Sequence, residues 1–299
     1  MTISRHPFRG LVDLPRVVDL IQRMPLACRH VIDFPWRLSS PTINEGRDAA
    51  FWENSDDQVI GFAAWQYYWA ALDIYLLPGP HLQALAADLF AWADQRFREL
   101  DAERGKPLPY WVEFRDDDRE RQMLAEAHGF VDEEYESYVF LEHSLADLAP
   151  IPTLPDGFTL RPLAGVQEAA AYAKLHRAAF ESTSMTAEWR ARTIQTSQHR
   201  SDLDLVVVAP DSSLAGFCIG WLSPERRIAQ IEPLGVHPRF QMLGLSRVLL
   251  LAMLHHFQAL GATCALVETD LERTPARHAY DAVGFQQTHI VHSKGKWLN

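Results

Sequence analysis

Cysteine is scarce: 299 residues hold three, Cys28, Cys218 and Cys264, far from one another. That spacing offers neither a disulfide framework nor the paired ligands of a zinc site, and it suits buried free thiols. No apolar run reaches the 18 residues of a membrane-spanning candidate, so no membrane partner is expected. The opening Met-Thr-Ile-Ser-Arg has no signal-peptide pattern, and the expected location is the cytoplasm. Basic excess is missing as well. Net charge is −11, and a nucleic-acid partner, which needs a basic face, is not expected. What the chain does have is core material, 47% hydrophobic against 22% charged, and length enough for two domains.

The charge is unevenly spread. Residues 1–150 carry 14 Lys plus Arg against 26 Asp plus Glu, whereas residues 151–299 carry 14 against 13. A phosphate-rich ligand is therefore expected on the second half, where Arg239, Arg247, Arg273 and Arg277 fall close together in sequence. Ordinary surface solubility explains each of them singly just as well.

In chain order, Leu11 to Met24 reads as a helix, and Phe34-Pro-Trp36 as part of a packed extended segment. Strand-like runs follow at 58–65 and 70–77, then a helix from His81 to Leu100 and a strand at 110–114. A helix from Asp117 stops at Gly129-Phe130, and a strand runs from Tyr135 to Leu141. Three prolines between Ala146 and Gly157 suggest an extended linker, which places a domain boundary near residue 150. Beyond it come a strand at 158–162, a helix from Val166 to Phe180 and a polar stretch to Arg200. A hairpin of 203–210 with 214–222 follows, and the last strand is at 286–293. The halves repeat: Ile60-Gly61-Phe62 returns as Ala215-Gly216-Phe217, and Gly129-Phe130 returns as Gly284-Phe285, each 155 positions later (216 − 61 and 284 − 129).

The most informative stretch is a strand, Ile228 to Val236, that passes through a turn at Gln241-Met242-Leu243-Gly244-Leu245-Ser246 into a helix from Leu245 to Leu260. Apolar residues at 245, 248, 249, 252, 253, 257 and 260 give that helix one buried face, and Gly261 stops it. A strand turning into a helix N-terminus gathers unpaired backbone N–H groups at one point, and the helix dipole adds partial positive charge. Such a point binds phosphate. Gln241, Met242, Leu243, Gly244, Leu245, Ser246 and Arg247 are the candidate cradle. Earlier in the strand, Pro233 has no N–H and Gly235 is a bulge residue, so regular pairing is expected to fail there.

Val236-His-Pro238 followed by Gln241-x-x-Gly244-x-Ser246 resembles the acetyl-CoA signature of the GNAT acetyltransferase superfamily, with Ser246 in the last small position and Met242 where glycine is common. A second stretch, Val267 to Phe285, resembles the family's fifth strand and following helix: Arg273 replaces the usual Asn, while Ala276, Tyr280 and Gly284-Phe285 match. The resemblance covers residues 157–299. It implies an α/β fold with a mixed α+β sheet, built as two tandem GNAT-like domains and similar in layout to the mycothiol synthases. Residues 1–150 would be a degenerate copy, since Leu77-Pro-Gly-Pro-His81 has no phosphate turn and its prolines lack N–H donors. Residues 151–299 would bind acetyl-CoA as co-substrate.

Acetyl transfer to an amine needs a positioned carbonyl, a neutral amine and a proton for the departing thiolate. The resemblance implies a bulged slot for the pantetheine arm at Leu234, Gly235 and Val236, with the Leu234 or Val236 amide bonding the thioester oxygen. Gly235→Val is then expected to block coenzyme binding. Glu232 is the first choice of general base, ahead of Glu268 and Glu181; an ion-paired strand residue explains Glu232 equally well. Tyr280 is the expected general acid, with packing against the coenzyme as its alternative. His237, His255, His256 and His278 show no ligand spacing, and no metal is expected. The acceptor is expected to be a small amine, cationic if the acidic first half faces it. A homodimer is an open alternative. Two other readings remain: an acyl-CoA-sensing protein without catalysis, and a tRNA-dependent aminoacyl transferase.

Overall fold

The duplication extends well beyond the two Gly-Phe landmarks. In the computed structural model, which describes residues 2–24, 32, 34–40, 46–66, 70–105, 108–132, 137–272 and 274–298, the first copy contains β1 (Ser4–Pro7), α1 (Leu14–Arg23), α2 (Phe34–Leu38), β2 (Ala49–Glu53), β3 (Val59–Gln66), β4 (Ala71–Leu76), α3 (Leu82–Arg104), β5 (Tyr110–Arg115), α4 (Arg119–Ala127), β6 (Val131–Asp132) and β7 (Tyr138–Ser144). The second contains β8 (Thr159–Pro162), α5 (Ala169–Phe180), α6 (Ala187–Ile194), β9 (Asp204–Val208), β10 (Leu214–Ser223), β11 (Ile228–Val236), α7 (Leu245–Ala259), β12 (Cys264–Asp270), α8 (Thr274–Asp281) and β13 (Gln286–Lys296). β1 and β8, α1 and α5, β2 and β9, and β3 and β10 all start 155 positions apart (159 − 4, 169 − 14, 204 − 49, 214 − 59). The fold is therefore a mixed α/β fold repeated in tandem.

The chain forms two compact units, neither continuous in sequence. One holds residues 1–34, 41–138 and 289–299; the other holds 35–40 and 139–288. In the first, the strands run β1-β2-β3-β4-β5, and β13 from Val291 to Lys296 pairs antiparallel with β5. Its core packs Leu85, Leu89, Ala93 and Phe97 of α3 against the strands, with Trp65 stacked on Phe97 at 5.2 Å. In the second unit the order is β7-β12-β11-β10-β9-β8. β10 pairs antiparallel with β9 and β11, while β11 and β12 are parallel.

Three elements differ from expectation. Phe34–Leu38 is a short helix and not an extended piece; a proline early in a helix removes an N–H that has no intrahelical partner anyway. The polar stretch before Arg200 contains α6, which Thr186 caps by accepting from Trp189 N at 3.0 Å. The strand expected at 135–141 is seen as Tyr138–Ser144, and Tyr135 and Glu136 lie outside the described residues. α7 also differs in degree: Leu250, Leu251 and Leu254 are buried along with the expected face, so the helix is enclosed nearly all round. Among the described residues no helix is long and apolar enough to cross a membrane.

Candidate functional site

Regular pairing fails on β11, as Pro233 dictates. Against β10 the register runs Gly216↔Val236, Phe217↔Gly235 and Cys218↔Leu234, then jumps to Gly220↔Ile231. Glu232 and Pro233 thus stand together against Ile219, a bulge beside a residue with no N–H to donate. The peptide between them is cis. On the other side, the parallel ladder with β12 runs from Ile228↔Cys264 to Ile231↔Val267. Among the described residues it goes no further, although β11 continues to Val236 and β12 to Asp270. The strands part at the bulge, so Leu234, Gly235 and Val236 run along an edge that no strand pairs on its β12 side. Gly235 has a packing role too: an added Cβ would stand 2.6 Å from the Phe217 ring and 3.0 Å from Ala179 of α5.

Past β11 the chain turns sharply. His237 Nδ1 accepts from Arg239 N at 3.1 Å, and Phe240 is buried. Met242 and Gly244 are both left-handed, with φ of 62° and 76°, and they aim the chain into α7. Gln241, Met242, Leu243 and Gly244 are exposed, Leu245 is buried as the helix's first anchor, Ser246 is half-buried and Arg247 exposed. Nothing lies within 4 Å of where a Gly244 side chain would begin. Among the described residues, the backbone amides of Gly244, Leu245, Ser246 and Arg247 show no acceptor within the protein, and no side chain caps α7. The corner is an open set of N–H donors at the positive end of a helix.

Met242 shows why glycine is favoured at its place. A side chain in the left-handed region costs about 1–2 kcal/mol, of which the greater freedom of unfolded glycine returns roughly 0.5–1 kcal/mol. Met242→Gly is expected to stabilise the protein by up to about 1 kcal/mol, read as a rise in thermal midpoint of about 1–4 °C. An unchanged or lower midpoint would contradict the strain. The equivalent corner of the first copy is covered: an added Cβ at Gly79 would lie 2.8 Å from the His81 ring, and Leu82 N already donates to Gly79 O at 3.0 Å.

α8 carries Tyr280, which is buried and meets Phe285 edge-on at 5.6 Å. The helix ends where Phe285 N donates to Tyr280 O at 3.1 Å and Gly284 N to Asp281 O at 3.0 Å, with Gly284 left-handed. His143 of β7 donates from Nε2 to Val283 O at 2.9 Å and so holds that end in place. Of the carboxylates, Glu232 is half-buried on the bulge and its carbonyl accepts from Trp221 Nε1 at 2.7 Å. Glu268 is half-buried on β12, and Glu181 is exposed at the left-handed C-cap of α5. Arg239 is occupied by Asp211 at 2.7 Å, and Arg277 donates to Leu271 O and Gln287. Arg273 lies outside the described residues.

Sequence reasoning missed a buried polar set under β11. Arg190 of α6, fully enclosed, pairs with Asp204 at the head of β9, and His199 Nε2 donates to the same Asp204 oxygen at 2.9 Å. The guanidinium lies 4.2 Å from the centre of the Tyr172 ring. Burial raises the Tyr172 phenol above its ordinary pKa; Arg190 opposes this, and Asp204, Glu232 and Cys218 add to it. Burial likewise holds His176 down at about 3, helped by Arg190 and Arg177, so its ring is neutral at working pH. An arginine in a polar stretch and an aspartate before Leu-Val-Val-Val were the only traces in sequence.

This architecture has counterparts. Residues 169–285 match the model of the acetyltransferase (GNAT) family. The chain is 30% identical over 142 residues to a mycothiol acetyltransferase of Thermomonospora curvata, covering 46% of this chain and 48% of that protein. It is 28% identical over 193 residues to the mycothiol acetyltransferase of Actinosynnema mirum, covering 62% of each. The T. curvata match thus spans about half of that relative's length. Among solved structures, a tandem GNAT protein from the clavulanic acid biosynthesis pathway superposes with a TM-score of 0.70 at 16% identity, covering 99% of this chain and 98% of that one. A GCN5-related N-acetyltransferase from Sphaerobacter thermophilus gives 0.64 at 18%, covering 99% and 95%. The chain therefore carries a GNAT-family acetyltransferase domain over residues 169–285, set within a tandem GNAT fold.

Proposed function

We propose that the second copy transfers an acetyl group from acetyl-CoA to a primary amine of a small acceptor by direct attack. The observation that carries this reading is the corner itself: unpartnered amides from Gly244 to Arg247, behind an exposed turn, next to the point where β11 leaves β12. The amides suit a pyrophosphate, Gln241 and Arg247 flank it, and the unpaired edge at Leu234 to Val236 suits an extended pantetheine arm. Acetyl-CoA supplies an electrophilic thioester carbonyl, whose oxygen the Leu234 or Val236 amide would bond. Glu232 takes the amine proton, directly or across one water, and Tyr280 Oη returns a proton to the departing sulfur.

The acceptor panel follows from charge and kinship. An acidic first half suits a polyamine, an aminoglycoside or an amino-sugar conjugate, and the relatives' name adds mycothiol-related amines. The test is release of free CoA thiol from acetyl-CoA across that panel, with Tyr280→Phe alongside. Wild type is expected to turn over at least one amine. The variant should lose about 10-fold or more in kcat, with coenzyme affinity within about twofold, as for removal of a positioned acid. The burial of Tyr280 favours a packing role as the second reading, and full activity in Tyr280→Phe would establish it. Coenzyme binding without thiol release across the panel would point to a sensing protein.

A further inference from the structure

β11 is held at its bulge by a side chain of the strand beside it. The bulge takes Glu232 and Pro233 out of register with β10, and the ladder with β12 ends at Ile231↔Val267. At that point the Glu232 carbonyl accepts from Trp221 Nε1 at 2.7 Å. Trp221 stands opposite Gln230, so its indole reaches two residues along β11, a diagonal that aromatic side chains span between antiparallel strands. Trp221 is 1% exposed, and an enclosed indole N–H takes a fixed partner because water cannot serve it.

The first copy supplies a contrast within the same chain. Its equivalent of Trp221 is Gln66 (221 − 155), at the end of β3. There the ladder with β4 runs without a shift from Gly61↔Leu76 to Gln66↔Ala71. Gln66 Nε2 donates to the side chain of Asp73 at 2.6 Å and not to the neighbouring backbone. The indole is found in the copy whose strand is bulged and not in the copy whose strand is regular.

We infer that Trp221 is a positioning residue for acetyl transfer: its N–H fixes the peptide plane that follows Glu232, and so the direction in which the Glu232 carboxylate leaves β11. The inference rests on Glu232 being the base. A bulge loosens the backbone that a regular ladder would hold, and a side-chain donor from the partner strand restores one anchor. The anchor matters because misplacing a reacting group by about 1 Å can cost on the order of 100-fold in rate. Trp221 itself exchanges no proton and touches no substrate.

Two replacements separate the N–H from the bulk of the ring. Trp221→Phe keeps an aromatic ring and deletes the donor. Trp221→His overlays imidazole on the five-membered half of indole, which puts Nε2–H in the place of Nε1–H, and loses the rest of the ring. Assayed near pH ~8, where imidazole is neutral, Trp221→His should melt lower than Trp221→Phe yet turn over faster. Trp221→Phe should lose roughly 10-fold in kcat, with CoA affinity within about twofold of wild type. In a Glu232→Gln background the same change should cost less than about twofold, because the carboxylate it orients is already gone. Activity that follows stability, with Trp221→His the slower of the two, overturns the inference. So does full kcat in Trp221→Phe, or a loss that simply adds to that of Glu232→Gln. Full activity in Glu232→Gln removes the base assignment first, and the role of Trp221 falls with it.

Discussion

Asp204→Ala should remove about 3–5 kcal/mol of folding stability, the usual cost of leaving a buried charge without its partner. Asp204 is 1% exposed, and both Arg190, at 0%, and His199 rely on the same carboxylate oxygen. Taking the carboxylate away leaves a fully enclosed guanidinium beside the Tyr172 ring without its counter-charge. The double variant Asp204→Leu with Arg190→Met removes both charges together and should be far less damaged than Asp204→Ala alone, because no ion is then left unpaired. Denaturant unfolding of the single and double variants checks the pair. Equal losses in both would mean that packing, not charge, accounts for the site.

Glu232→Gln should lower kcat by about 100-fold or more while leaving the KM for acetyl-CoA nearly unchanged, the effect of deleting a positioned general base. Glutamine has the same shape, and Glu232 is only half-buried, so the fold should survive. The loss should shrink as pH rises and more of the amine arrives already neutral. Glu268→Gln is the natural companion, because Glu268 stands half-buried on the strand from which β11 diverges. If Glu268→Gln shows the 100-fold loss and Glu232→Gln does not, the base belongs to β12.

Much of this was legible in the sequence, for identifiable reasons. Pro233 and Gly235 announce the failed ladder because each weakens pairing by a purely local rule, and the register jump falls at Glu232 and Pro233. The corner at Gly244 is equally local: small residues, a helix pattern and a glycine whose φ of 76° suits that residue. The repeat showed through two glycines, and its 155-residue spacing then held even for β2 and β9, which share no letter in register. What did not show was long-range. Pro35–Ser40 belongs to the second unit, where Trp36 packs on Trp189 at 5.1 Å and Ser39 bonds Thr193 at 2.8 Å, a partnership across more than 150 positions. Likewise, Arg190 and Asp204 look like ordinary surface charges until α6 is folded over β9. No local pattern reports which charges will be enclosed, because enclosure is decided by tertiary packing.

The central claim is that backbone amides at the start of α7 hold the coenzyme's pyrophosphate. It is tested most directly by titrating CoA calorimetrically into wild type and Ser246→Glu. A carboxylate in the first turn of a helix favours the helix by about 0.3–1 kcal/mol, yet it stands in the way of an anion seeking the same N–H groups. The account predicts that wild type binds CoA, and that Ser246→Glu binds it about 10-fold or more weakly while its thermal midpoint holds or rises. Undiminished binding in Ser246→Glu, or a wild type indifferent to CoA, would contradict it.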